Sequence, residues 1–142
     1  ASDVYKRQMI DYSAFLQKLL SLAVKAQASD ILFSVNCYPT LRINRVLVPI
    51  TKEKILTPED TYKLAQTLMA EEQFSRFLKQ KEIDFSFSFE KQARFRVNVF
   101  FQRGTVSVSM RLILLEPNIL LPLKIRLSMF LKMTNQSLNR EK

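Results

Sequence analysis

Histidine and tryptophan are missing from these 142 residues, and glycine and cysteine each occur once. Without histidine, and with a single cysteine, only scattered carboxylates remain as metal ligands, so a zinc-type site is disfavoured. Cys37 has no partner for an internal disulfide, which suits a reducing compartment. Beside Tyr38-Pro39 and with no histidine to activate it, Cys37 reads as a turn residue rather than a reactive thiol. One glycine, Gly104, cannot build a G-x-x-x-x-G-K-[ST] phosphate loop. No apolar run approaches the ~20 residues of a membrane span. The charged start "ASDVYKRQ" lacks the apolar core and small-residue site of a secretory signal. Acids are outnumbered, 13 to 22, for a net charge of +9. That favours anionic partners: nucleic acid, nucleotide phosphates or lipid headgroups. What is present, 47% hydrophobic and 25% charged residues, fits a single globular domain.

The chain falls into three parts. Residues 1–8 match no element that follows and read as an artefactual extension before Met9. From Met9 the local signals agree. Asp11 is placed to cap a helix running to about Gln27, with Ile10 and Phe15 spaced as a hydrophobic staple. Phe15, Leu19, Leu22, Ala23 and Ala26 form its expected buried stripe. "DILFSV", "TLRIN" and Val46 to Ile50 read as strands. Asn44-Arg45 forms a two-residue hairpin loop in which arginine takes the place usually given to glycine, costing roughly 1 kcal/mol or forcing a looser turn. "TPED" opens a second helix with Thr57 as cap, Pro58 at the first position and Asp60 as the capping-box acid. Leu64, Ala65 and Leu68 continue it. "EEQFSRFLKQ" presents Phe74, Phe77 and Leu78 from a third helical piece. Three alternating strands close the domain. Their inward residues are Ile83, Phe85, Phe87 and Phe89, then Phe95, Val97, Val99 and Phe101, then Val106, Val108, Met110 and Leu112. The expected class is α+β, an antiparallel sheet with helices on one face. From Ile113 the pattern dissolves around Pro117 and Pro122. Residues 113–142 are expected to be an atypical tail, disordered or read out of frame, with a loosely docked helix near 125–133 as the alternative.

Parity fixes the outer face. Inward residues stay on one side only if facing pairs in the last hairpin sum to an odd number. A two-residue loop at Arg103-Gly104 then sets Arg96 opposite Arg111 and Asn98 opposite Ser109. A three-residue loop "EKQ" sets Ser86 opposite Arg96 and Asp84 opposite Asn98. Asp84, Ser86, Arg94, Arg96, Asn98, Ser109 and Arg111 thus share one face. Facing like charges destabilise a sheet, and Asp84 neutralises only part of them. A solvated face and an anion site both fit this pattern. Paired guanidiniums suit bidentate phosphate contacts.

"ASDILFSV", "PTLRINRVLVPI", "EIDFSFSF" and "RFRVNVFFQRG" resemble, in order and spacing, the PAS-like N-terminal domain of PilT-type ATPases, the hexameric motors that retract type IV pili. The resemblance covers residues 9–112. It implies a cytoplasmic hexamer, peripheral to the inner membrane, whose separate C-terminal domain uses ATP and Mg. The implied partners are that ATPase domain, neighbouring subunits and the inner-membrane platform protein. It further implies that Arg96 and Arg111 face nucleotide phosphates, with Arg94, Arg103, Asp84 and Asn98 as secondary or interface residues. The sequence departs from the family at Leu32, usually histidine, and at Arg45, usually glycine. The linker expected after Ile113 is not recognisable. The chain is accordingly expected to be a truncated fragment, regulatory or oligomerising, with no catalytic residue, no cofactor and no ATPase activity of its own.

Two other classes fit the basic charge. Binding of RNA or single-stranded DNA by the sheet would need stacking rings on the exposed face. Phe95 and Phe101 point inward, however, and only Phe100 lies with the arginines. A PAS-like sensor would need a polar anchor among Ile83 to Phe89, and none is evident. Surface attachment through Lys124, Arg126 and Lys132 would need a helix that the prolines interrupt. Nucleic acid and membrane insertion are therefore not expected.

Overall fold

A computed structural model describes residues 10–91 and 93–114. Segment 1–8 and the tail beyond 114, with its alternative helix near 125–133, lie outside the described residues.

Helix α1 (Tyr12–Ala26) starts where Asp11 accepts a hydrogen bond from the Ala14 amide at 3.1 Å. It stops at Gln27, which turns left-handed with φ 55° and bonds back to the carbonyls of Ala23 and Val24. Its buried residues are Leu16, Leu19, Leu20, Ala23 and Ala26. The expected stripe is thus rotated: Leu16 and Leu20 are buried, whereas Phe15 and Leu22 sit half-buried at its margins. The period was right, but the facing elements, α2 among them, decide which residues centre on the contact.

Strands β1 (Asp30–Phe33), β2 (Thr40–Ile43) and β3 (Val46–Pro49) follow. The β2–β3 loop is Asn44-Arg45, with φ values of 50° and 69°. The tight turn is kept with arginine in it, and the strain is accepted rather than relieved. Helix α2 (Pro58–Leu68) has the full capping box. The Asp60 amide donates to Thr57 Oγ1 at 3.1 Å, and the Thr57 amide donates to Asp60 Oδ2 at 2.9 Å. Helix α3 (Glu71–Gln80) buries Phe74 and Phe77, and Gln73 Oε1 accepts from the Ala70 amide at 3.0 Å.

Strands β4 (Glu82–Phe89), β5 (Ala93–Gln102) and β6 (Thr105–Leu114) form the meander, and β6 runs two residues past the boundary expected at 112. The registers are those parity required: Arg96 faces Arg111, Asn98 faces Ser109, Ser86 faces Arg96 and Asp84 faces Asn98. Arg103 and Gly104 both take positive φ, 54° and 80°.

All six strands join one antiparallel sheet in the order β3-β2-β1-β6-β5-β4. The class is α+β. The joint between β1 and β6 carries the most consequence, because it brings residues 30 and 111 side by side. Phe33, Phe77 and Phe95 are fully buried beneath the helices with Leu19, Ile31, Leu41 and Met110. Burial of each such side chain is worth roughly 1.5–3 kcal/mol. Phe77 stacks on Phe101 at 4.9 Å. Phe85 and Phe87 face the core yet stay half-buried, because β4 is an edge strand. Among the described residues no helix is long and apolar enough to cross a membrane.

Candidate functional site

With its inner face covered, the sheet presents its polar side chains outward in rows. One row runs Arg42, Asp30, Arg111, Arg96, Ser86 from β2 to β4. The next runs Thr40, Leu32, Ser109, Asn98, Asp84. Asp30, Asp84, Arg96, Asn98, Ser109 and Arg111 line an open recess of about 290 Å³ where the two rows meet.

The charge pattern there differs from the one expected of Asp84. Asp84 Oδ1 and Glu82 Oε2 both accept from Asn98 Nδ2, at 2.8 and 3.0 Å, and among the described residues neither acid lies within ion-pair distance of an arginine. The acid that meets the arginines is Asp30, buried to 8% exposure. Its Oδ1 lies 3.4 Å from Arg111 Nε and its Oδ2 lies 3.3 Å from Arg42 Nε. Ser29 Oγ donates to the same Oδ2 at 2.8 Å. Sequence reasoning missed Asp30 and Arg42. Alternation in "SDILF" and "TLRIN" already put both on the outer side of their strands, but no local signal placed β1 beside β6.

Arg111 remains 73% exposed at its side chain. Arg96, also exposed, has no carboxylate within ion-pair distance among the described residues. Arg94 sits on the same face between Ser88 and Ile113 and is exposed. Arg103 lies in the β5–β6 turn, roughly 20 Å along the strand from Arg96, so it does not join the group. The row holds three guanidiniums against one carboxylate. That suits a multiply charged anion whose oxygens complete the pairing. Among the described residues no three His, Cys, Asp or Glu side chains gather to hold a metal.

A second polar cluster holds the helices together. Asp60, 3% exposed, accepts from Tyr12 Oη at 2.8 Å and pairs with Lys54 Nζ at 2.8 Å. Burial works against its ionisation. The Lys54 ammonium, the Thr57 amide and the Tyr12 and Thr57 hydroxyls outweigh it and hold the carboxyl below its usual range. Burial, then the Asp60 hydrogen bond and charge, push the Tyr12 phenol well above its ordinary value. Every acceptor bond of Asp60 goes to a structural partner, which marks this cluster as a latch.

The fold is a small α+β domain with a row of arginines on the outer face of its sheet. Type IV pilus ATPase PilU of Pseudomonas aeruginosa is 35% identical over 103 residues, 72% of this chain and 26% of that protein. The crystal structure of the pilus retraction motor PilT with bound ADP matches with TM-score 0.62 and 36% identity, over 67% of this chain and 28% of that one. The ATPase DotB of Legionella pneumophila matches with TM-score 0.60 and 23% identity, over 70% and 28% of the two chains. DotB of Yersinia pseudotuberculosis gives 0.60 and 19%, over 82% and 33%. At those identities the DotB matches speak for the fold alone. No family model matches. Over the matched residues the chain is similar to part of these pilus ATPases. The chain spans about a quarter of the curated relative's length, 26%.

Proposed function

We propose that residues 10–114 serve as the N-terminal regulatory and oligomerising domain of a cytoplasmic pilus-retraction ATPase. In this reading Arg96 and Arg111 turn toward nucleotide phosphates held by an ATPase domain lying outside these 142 residues. The supporting observation is the register of β5 against β6, which sets Arg96 directly opposite Arg111 on the outer face. Backbone pairing sets the two side chains side by side, so that both guanidiniums can turn to one phosphate group. Arginines offered to developing phosphate charge speed nucleotide hydrolysis. The partners of this reading are ATPase domains of the same family, neighbouring hexamer subunits and the platform protein of the pilus base. ATP and Mg belong to the partner domain, and the chain alone is not an ATPase.

The test mixes the purified chain with an intact PilT-type motor and follows co-migration and ATP turnover. The expected result is entry into the motor's hexamers with altered turnover. Arg96→Ala and Arg111→Ala should each keep entry and abolish the change. Failure to co-migrate and unchanged turnover would refute the proposal. So would steady ATP hydrolysis by the chain alone that Arg96→Ala abolishes.

A further inference from the structure

We infer that Asp30 is a positioning residue for the anion site: it fixes Arg111 through Nε and leaves the outer edge of that guanidinium free for a phosphate oxygen pair. The inference rests on the phosphate reading of Arg96 and Arg111 and assigns a role to a residue that reading does not use.

Asp30 stands in register between Arg42 and Arg111, with one carboxylate oxygen turned to the Nε of each. The Ser29 hydroxyl occupies Oδ2 as well, so the carboxylate is held from three sides. Its low exposure, 8%, means that its orientation is set by the sheet. A guanidinium is planar with five N–H donors, and a contact at Nε leaves the edge between its two terminal nitrogens for a second oxygen pair. Arg111, exposed along most of its length, would otherwise sample many rotamers and be pushed from Arg96 by like charge. Asp30 opposes both effects. It cannot satisfy Arg96 as well, so the row keeps an excess of positive charge for a ligand. Arg42 holds the other oxygen, so the carboxylate is kept between the two arginines with Oδ1 toward Arg111.

Charge counting and positioning predict opposite signs for Asp30→Asn. Removing a negative charge beside two arginines should tighten anion binding if charge alone matters. If Asp30 orders Arg111, the asparagine variant should bind more weakly, because that ordering must then occur on binding. The probe is inorganic triphosphate, titrated into the ¹⁵N-labelled chain while the arginine Nε–Hε signals are followed by NMR. Thermal melting checks that each variant stays folded. In the unsubstituted chain, triphosphate should shift the Arg96 and Arg111 signals, and Arg111 Nε–Hε should exchange with water more slowly than that of Arg94 or Arg103. In Asp30→Asn the Arg111 protection should disappear and the triphosphate affinity should fall by about fivefold, the scale of ordering one long side chain. Asp30→Glu should recover part of it. Equal or tighter binding by folded Asp30→Asn would overturn the positioning role and leave the phosphate reading standing. Absence of any Arg96 or Arg111 shift in the unsubstituted chain would overturn both. If Asp30→Asn unfolds, the unsubstituted chain still decides, because an Arg111 Nε–Hε no more protected than that of Arg94 also overturns the role.

Discussion

Asp60→Ala is the substitution with the largest effect worked from polar contacts. It removes the acid of the α2 capping box, typically about 1 kcal/mol. It also removes the Tyr12 bond to an ionised acceptor, on the order of 1.5–3 kcal/mol. The Lys54 partner is 45% exposed at its side chain, so that ion pair adds at most about 1 kcal/mol. The Thr57 amide and the Tyr12 hydroxyl lose their partner, though Tyr12 is only half-buried and can turn toward water. The combined loss is about 3 kcal/mol, or roughly 15 °C in Tm for a domain of this size. The sign with pH follows from the depressed Asp60 ionisation. A carboxyl that ionises more readily when folded contributes its stabilisation above the unfolded value of about 4 and loses it as pH falls through the folded value. Urea unfolding of both proteins at pH 7 and again near pH 3 should therefore show a gap that narrows on acidification. A gap below about 1 kcal/mol at pH 7, or one that widens in acid, would refute this account of the latch.

Two of the positive-φ hairpin loops make a matched pair. Arg45→Gly relieves a strained φ of 69° and should raise stability by about 0.5–1 kcal/mol in chemical denaturation. Gly104→Ala meets nothing within 4 Å, so only the φ of 80° opposes it, and the loss should be about 1 kcal/mol. Phe77→Ala empties a fully buried site stacked on Phe101 and should cost about 3–5 kcal/mol in the same assay. Stability should also decline above about pH 10: the Tyr12 phenol resists ionisation when folded, so its contribution is complete below its unfolded value and lost as pH rises. Tyr12→Phe should flatten that alkaline limb.

Local chemistry determined a good part of this protein. Thr57, Pro58 and Asp60 are close enough in sequence to specify a helix start by themselves, and the capping box formed as read. Strict alternation from Ile83 onward restricts each hairpin to registers of one parity, and the shortest loops pick the register that pairs Arg96 with Arg111. Each of those decisions involves neighbours a few residues apart or joined by a tight turn.

What tertiary structure alone decided lies between distant segments. Asp30 and Arg111 are 81 residues apart, and the pairing of β1 with β6 comes from the closing of one sheet around one core. Nothing in "SDILF" names its partner strand, because a strand's edge offers the same amides and carbonyls to any other. Phe15 gave way to Leu16 at the centre of α1, and Tyr12 found Asp60, for the same reason. A period shows that a face exists, while the elements packed against it decide where that face points and which charges it gathers.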